Sequence, residues 1–211
     1  MERMICLAIG YVFGMFQTSY IIGKIHHMDI RQYGSGNAGT TNALRTLGKK
    51  AGAATLLGDI LKCVIAILIV NAAFKNQYGD ILPLLGMYTA AGCVLGHNFP
   101  FYLGFRGGKG IAASAGMLLA LDWRVFLICA VIFFGIVIAT RYVSLGSISA
   151  YIGALICFIA FGAAGSYGMD TSHVVEMNVI MALMTALAIY RHRANISRLM
   201  NGTENKLGGK K

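Results

Sequence analysis

The polar stretch Gly34–Arg45, with the sequence GSGNAGTTNALR, carries residue types that could bind a phosphate. Its glycines and threonines leave the backbone free to turn several N–H groups toward one point, and such a concave run of amides is an anion receptor. An ordinary flexible loop between helices has a similar composition. A second loop built in the same way favours the anion site.

A short helix is expected to follow the glycines of the stretch Gly34–Arg45. We predict that Thr40 or Thr41 caps this helix and that it ends near Gly48, so that its N-terminus faces the same anion. Asn42 and Arg45 stand three residues apart and therefore share a face of the helix. The guanidinium of Arg45 can direct two donors onto one phosphate.

The second loop, Gly96–Gly110, has the sequence GHNFPFYLGFRGGKG. Gly107, Gly108 and Gly110 flank Lys109, so the backbone can approach a phosphate while an ammonium neutralises it. The loop is not a nucleotide-binding P-loop, because a glycine follows the lysine where that motif requires serine or threonine. Binding of a phosphate without a metal ion is the chemistry that remains.

Histidines lie at the ends of two apolar segments. His97, within the second loop, is more often a helix-end hydrogen bonder than a general base. His192 and Asn195 belong to a basic segment, RHRANISRLMNGTENK, that follows the last apolar segment. A short link between two other apolar segments adds the hydroxyl of Ser144 as a possible contact.

The composition predicts an all-α, polytopic integral membrane protein. Of 211 residues, 57% are hydrophobic and only 12% are charged, whereas soluble domains carry about 25% charged residues. The cysteines lie within apolar segments without a C-x-x-C pattern, so we interpret them as reduced packing residues. They are Cys6, Cys63, Cys93, Cys129 and Cys157.

Apolar runs predict seven transmembrane helices in a single domain, residues 1–211. We place the spans near residues 4–24, 51–74, 81–99, 108–121, 125–142, 144–164 and 174–190. The piece 111–121 is short and would cross with tilt or local thinning of the bilayer. If it is instead re-entrant, the count is six. The N-terminus is interpreted as a retained first span, not a signal peptide.

The distribution of basic residues decides between these counts. Seven spans with the N-terminus outside leave only Arg3, Lys75 and Arg124 on the outer side, so the positive-inside rule places the C-terminus and the polar loops in the cytoplasm. The basic residues on the predicted cytoplasmic side are Lys24, Arg31, Arg45, Lys49, Lys50, Arg106, Lys109, Arg141, Arg191, Arg193, Arg198, Lys206, Lys210 and Lys211.

Small residues at four-residue spacing predict helices that approach closely. They are Gly10, Gly14 and Thr18, then Gly92 and Gly96, then Ala112, Gly116 and Ala120. Asp59 and Lys62 lie three residues apart inside the second span, where an isolated charge is costly. A mutually satisfied pair that anchors the bundle is the preferred interpretation, with a role in chemistry as the alternative.

The motifs SGNAGTTNALR, GHNFPFYLGFRGGKGIA, YVSLGS and RHRANISRLMNGTE resemble the successive motifs of the PlsY family of bacterial acyl-phosphate:glycerol-3-phosphate acyltransferases. The resemblance runs from about Gly10 to Lys206. It implies an enzyme of the bacterial plasma (inner) membrane that moves a fatty acyl group from acyl phosphate to the 1-position of sn-glycerol 3-phosphate. The product would be lysophosphatidate for phospholipid synthesis.

The resemblance also implies roles for particular residues, and Glu204 is expected to be more structural than catalytic. The expected catalytic residues are Ser35, Arg45, Lys109, His192 and Asn195. The expected substrate-binding residues are Gly36, Asn37, Thr41, Asn42, His97, Gly107, Gly108, Gly110 and Ser144. We expect no metal and no cofactor, no nucleic acid and no obligate protein partner, with membrane lipid as the surroundings.

An acyl phosphate is already activated, so positioning of the acceptor hydroxyl is expected to supply most of the catalysis. Loop amides, Lys109 and Arg45 would stabilise the developing negative charge. The proton acceptor stays open between a substrate phosphate, with a second pKa of about 6, and His192 or His97. Ser35 is interpreted as a phosphate ligand in preference to a covalent nucleophile.

Two other classes of function compete with an enzyme. A transporter or flippase for an organic phosphate would use similar cationic loops, but it would normally place its binding groups near the bilayer midplane. A purely structural scaffold would explain the helices and leave both glycine-rich loops without a function. Acyl transfer by purified protein in detergent separates these classes, because transport cannot occur there.

Overall fold

The computed structural model describes residues 1–208, and the regular structure in that range is helical. Lys210 and Lys211, counted above among the cytoplasmic charges, lie outside the described residues. The helices are α1 (Glu2–Gly14), α2 (Thr18–Ile25), α3 (Thr40–Leu47), α4 (Lys49–Tyr78), α5 (Leu82–Asn98), α6 (Ile111–Leu121), α7 (Trp123–Thr140), α8 (Val143–Ala163), α9 (Thr171–Arg191) and α10 (Arg193–Met200). The described residues form two compact units, one of Met1–Leu121 and a second that begins at Asp122.

Within the described residues, five helical stretches are long and apolar enough to cross a membrane. They are Glu2–Ile25, Lys49–Leu103, Trp123–Thr140, Val143–Ala163 and Thr171–Arg191. The second stretch contains both α4 and α5, and α6 is a shorter apolar helix. The all-helical, polytopic architecture is therefore confirmed, whereas the count of seven spans stays a prediction.

The first predicted span, 4–24, agrees with the apolar helical stretch Glu2–Ile25, but the stretch is interrupted, because α1 ends at Gly14 and α2 begins at Thr18. The break frees backbone carbonyls that a membrane-embedded chain must satisfy internally. The ammonium of Lys62 donates to the carbonyls of Gly14 and Phe16, at 3.2 and 2.7 Å. The Gln17 side chain donates to the carbonyl of Gly14 at 3.4 Å. The Lys62 side chain, which lies far away in the sequence, and the Gln17 side chain within the break thus stabilise the interruption.

Close packing of α1 against α5 confirms the prediction made from the small residues. A Cβ atom on Gly10 would collide with the carbonyl oxygen of Thr89. Reciprocally, a Cβ atom on Gly92 would collide with the carbonyl oxygen of Leu7. On α6, Gly116 approaches the backbone of α4 in the same way. The glycines therefore let the backbones touch, and this packing places the end of α5 beside the break in the first span.

In the second unit, α7 packs against α8 and α8 against α9. The Asp122 carboxylate accepts a hydrogen bond from the backbone N–H of Arg124 at 3.0 Å and caps the N-terminus of α7. His192 separates α9 from α10. The cysteines are free thiols, as predicted.

Candidate functional site

The side chain of Asn42 braces the first loop (Gly34–Thr41). Its Oδ1 accepts from the N–H of Ser35 at 2.8 Å, and its Nδ2 donates to the carbonyls of Ile30 and Tyr33, both at 3.0 Å. Gly34 has φ +61° and leaves no room for a side chain beside Asn42. Asn42 is buried and its amide is engaged within the chain. Its direct contact with substrate stays a prediction, while its role in shaping the loop is visible.

Helix α3 follows this loop as predicted and ends before Gly48, but the predicted threonine cap is wrong. Gly39 is the N-cap residue, and no side chain caps the helix. Thr40 and Thr41 are already helical. The Thr40 hydroxyl is buried without a hydrogen-bond partner among the described residues. A Cβ atom on Gly39 would lie 2.8 Å from Nδ2 of Asn37, so a larger residue at the cap would displace that side chain.

The remaining candidates of the first loop differ in exposure. Ser35 and Gly36 are exposed, as is Arg45 on α3, whereas Asn37 and Thr41 are half-buried. The most accessible polar groups are thus the serine and the arginine that the family resemblance singles out.

Arg31 connects the approach to the first loop with the second loop. Its guanidinium forms an ion pair with Asp29 at 2.7 Å and donates to the carbonyl of Leu103 at 3.0 Å. The hydrogen bond from Arg31 holds the pKa of the Asp29 carboxyl below its ordinary value. Sequence reasoning counted Arg31 only as a topological charge and missed this tether.

The second loop (Gly96–Gly110) folds back over the end of α5. The N–H of Gly107 donates to the carbonyl of Asn98, and the N–H of Gly108 donates to the carbonyl of His97, both at 3.1 Å. These two amides therefore bind the end of α5. A role of Gly107 and Gly108 in substrate binding stays a prediction. Lys109, which follows them, is half-buried, and Gly110 has φ +80° at the start of α6.

The first and second loops are in direct contact. A Cβ atom on Gly108 would collide with Nε2 of His97 and lie 2.5 Å from the carbonyl oxygen of Ala38. We call this contact between Ala38 and Gly108 the seam. It confirms that the two glycine-rich loops lie together in the first unit.

A buried cluster of Asp59, Lys62 and His97 lies beside the seam. The Lys62 ammonium lies 3.0 Å from the Asp59 carboxylate and 2.8 Å from Nδ1 of His97. The predicted Asp59–Lys62 pair is thus confirmed, and His97 joins it. Thr18 and Gln17 complete the cluster: Thr18 donates to Asp59 at 3.1 Å, and Gln17 donates to the carbonyl of His97 at 2.9 Å. A polar Gln17 inside an apolar run was the sequence signal for this contact.

In the second unit, the Glu204 carboxylate binds two predicted site residues, the substrate-binding Ser144 and the catalytic Asn195, together with Arg198. It accepts from Ser144 at 3.0 Å, Asn195 at 2.7 Å and Arg198 at 2.7 Å. Burial alone would raise the pKa of Glu204, but the bonds from Asn195, Arg198 and Ser144 outweigh it, so the pKa lies below its ordinary value. This geometry connects the C-terminal segment to the start of α8 and to α10.

His192 is buried at the junction of α9 and α10. Its Nδ1 lies 2.8 Å from the carbonyl oxygen of Ala188. Because a carbonyl only accepts, Nδ1 carries the proton, and in the neutral ring Nε2 is the acceptor nitrogen. A role of His192 as a general base stays a prediction.

The fold and these loops define a polytopic helical membrane protein with a cationic, glycine-rich polar face. A family model described as glycerol-3-phosphate acyltransferase matches residues 4–202. A glycerol-3-phosphate acyltransferase of Clostridioides difficile (strain 630) is 46% identical, over 98% of this chain and 96% of the relative. One of Halalkalibacterium halodurans is 42% identical, over 97% and 96%.

Two solved structures have the same fold. The glycerol 3-phosphate form of PlsY, an integral membrane glycerol 3-phosphate acyltransferase, has a TM-score of 0.83 and 36% identity, with 99% of this chain and 96% of that chain covered. Its lysophosphatidic acid form has a TM-score of 0.81 and 35% identity, with the same shares of the two chains covered. The chain belongs to the glycerol-3-phosphate acyltransferase family, and its resemblance to PlsY is confirmed. It is accordingly a multi-span integral membrane protein.

Proposed function

We propose that this protein transfers a fatty acyl group from acyl phosphate to the 1-hydroxyl of sn-glycerol 3-phosphate and thereby forms lysophosphatidate. The observation that carries the proposal is the likeness of nearly the whole chain to a PlsY solved in a glycerol 3-phosphate form and a lysophosphatidic acid form. The proposed acceptor, glycerol 3-phosphate, and the proposed product, lysophosphatidate, are the molecules named for these two related structures. The acyl-phosphate donor is the part of the proposal that rests on family resemblance.

The reaction needs positioning more than activation. The acceptor oxygen forms an ester bond to the acyl carbon, the bond from that carbon to the phosphate oxygen breaks, and inorganic phosphate leaves. Lys109 and Arg45 neutralise phosphate charge, and the exposed Ser35 serves as a phosphate ligand. Holding hydroxyl and acyl carbon together can supply an effective molarity of roughly 10⁵–10⁸ M.

The hydroxyl proton passes to a substrate phosphate or to His192. His97 is the weaker candidate for a base, because its Nδ1 lies 2.8 Å from the Lys62 ammonium. This nitrogen accepts a hydrogen bond from the ammonium and therefore does not take up a proton from the substrate. A His192→Gln variant separates the two remaining routes. Near-normal turnover supports proton transfer to the substrate phosphate, and a loss beyond about 10²-fold supports His192 as the base.

We further propose a single acyltransferase domain with seven membrane crossings, an outside N-terminus and cytoplasmic polar loops, in a bacterial plasma membrane. The crossings are the α1–α2 pair and each of α4 to α9. Helix α6, with 11 residues, is about 16 Å long and requires a locally thin bilayer. The basic residues of the polar loops support this orientation.

The function is tested with purified protein in detergent. Acyl phosphate and an acyl thioester are offered side by side with sn-glycerol 3-phosphate, without added metal, and lysophosphatidate is measured. We expect product from acyl phosphate alone, and at least about a tenfold loss in Arg45→Ala and in Lys109→Ala. Lys75→Ala, an exposed lysine of α4, is the control. Absence of acyl transfer together with phosphate uptake by proteoliposomes would favour a transporter.

A further inference from the structure

Lys62 occupies an unusual position inside the first unit. Its Nζ lies near four groups: the carbonyl oxygens of Gly14 at 3.2 Å and Phe16 at 2.7 Å, the Asp59 carboxylate at 3.0 Å, and Nδ1 of His97 at 2.8 Å. The side chains of Lys62 and Asp59 are only 4% and 2% exposed. A buried charge in a membrane is costly unless it is paired, and such groups mark functional positions.

The donors and acceptors around Lys62 determine the protonation of His97. An ammonium has three donors and no acceptor, while carbonyl and carboxylate oxygens only accept. Because the Lys62 ammonium can only donate, Nδ1 of His97, 2.8 Å away, is an acceptor and carries no proton. Nδ1 lies 3.7 Å from the Asp59 carboxylate, too far for a hydrogen bond of its own. The ring proton of His97 is therefore on Nε2.

The Nε2–H group faces the seam. Gly108 passes so close to Nε2 that a Cβ atom on this residue would collide with it, and the Ala38 carbonyl approaches the same point. The backbone of His97 is also held in place, because its carbonyl accepts from Gln17 at 2.9 Å and from the N–H of Gly108 at 3.1 Å. The imidazole has little freedom to turn.

We propose that Lys62 is a positioning residue: supported by Asp59, it holds His97 in the Nε2–H form as a fixed hydrogen-bond donor at the seam, and so excludes His97 as a general base. The buried ion pair thereby sets the geometry of the two loops in which the phosphorylated reactants bind. The expected effect on turnover rests on the proposed function, whereas the tautomer of His97 is inferred from the contacts alone.

Substitutions of His97 distinguish a donor from a base. Glutamine keeps an N–H donor near the place of Nε2 and cannot act as a base, whereas phenylalanine keeps the volume and loses the donor. We expect His97→Gln to retain more than about a tenth of wild-type kcat/KM for glycerol 3-phosphate, and His97→Phe to lose about 10²-fold. Equal losses of 10²-fold or more in both variants would overturn the proposal.

A double-mutant cycle tests whether Lys62 acts through His97. We expect Lys62→Met to lower kcat/KM at least about tenfold in the His97 background and less than about threefold in the His97→Gln background. The reason is that a glutamine amide donates its N–H without needing Lys62 to select a tautomer. Equal losses in both backgrounds would contradict the coupling. Lys75→Met, on an exposed part of the same helix, is the matched control and should leave activity unchanged.

The tautomer can be read without turnover and without a variant at Lys62. In purified wild-type protein labelled with ¹⁵N-histidine, the His97 signal, assigned by its loss in His97→Gln, should show a protonated Nε2 and an unprotonated Nδ1. A protonated Nδ1 in active enzyme would overturn the inference. Failure of the wild type to transfer an acyl group would instead count against the proposed function, because the tautomer signal does not depend on catalysis.

Discussion

Replacing Gly108 by alanine should separate the two loops while leaving the helices intact. The added Cβ would lie 2.5 Å from the Ala38 carbonyl oxygen, whereas ordinary contact begins at 3.4 Å, so the seam must open by about 0.9 Å. The movement cannot be absorbed on the other side, because the same Cβ meets Nε2 of His97. A misplacement of about 1 Å can cost about 10²-fold in rate.

The assay for this variant is acyl transfer from acyl phosphate over a range of glycerol 3-phosphate concentrations. We expect kcat/KM to fall about 10²-fold while the thermal unfolding of the detergent-solubilised protein changes little. Gly135→Ala, where a Cβ atom would meet nothing within 4 Å, controls for the glycine-to-alanine change itself. Full activity of Gly108→Ala would refute the argument that the contact at Ala38 shapes the site.

Two further predictions concern packing and pH. Gly92→Val should destabilise the first unit by about 1–3 kcal/mol or prevent its folding, because the valine side chain would collide with the backbone at Leu7. Thermal unfolding measures this effect, with Gly135→Val at an exposed glycine as the control. Equal stability of the two variants would contradict the prediction. Because the native pKa of Glu204 is lowered, its stabilising effect is present above the ordinary glutamate pKa of about 4.3 and is lost as the pH falls through the native value. The hydrogen-exchange protection of residues 193–208, corrected for the intrinsic pH dependence of amide exchange, should therefore fall between pH 6 and strong acid in the wild type. A Glu204→Gln variant that shows the same fall would count against this assignment.

The helices were predictable because apolar runs and bilayer thickness determine where they lie, and most ends fall within a few residues of the prediction. The break between Gly14 and Thr18 was not, because its reason lies in tertiary contacts with Lys62. The run itself is apolar enough to continue as a helix. Only the isolated Gln17 within it signalled that a polar contact was needed.

The residue types of the site could be read from the sequence, but their partners could not. The spacing placed Asn42 beside a possible phosphate, and the structure shows its amide bonded to the Ser35 N–H and to two carbonyls. Likewise, Ser144 and Asn195 share the Glu204 carboxylate. Many polar pairings satisfy the same local pattern, and only the packing of the helices selects one of them.

Equilibrium binding of sn-glycerol 3-phosphate to the purified protein, without donor, tests the central claim that the cationic glycine-rich loops hold a phosphorylated reactant. Glycerol 3-phosphate should bind, glycerol should not, and Lys109→Ala should weaken binding at least about tenfold, beside an unaffected Lys75→Ala. Equal affinity of wild type and Lys109→Ala for glycerol 3-phosphate, or equal binding of glycerol, would contradict it.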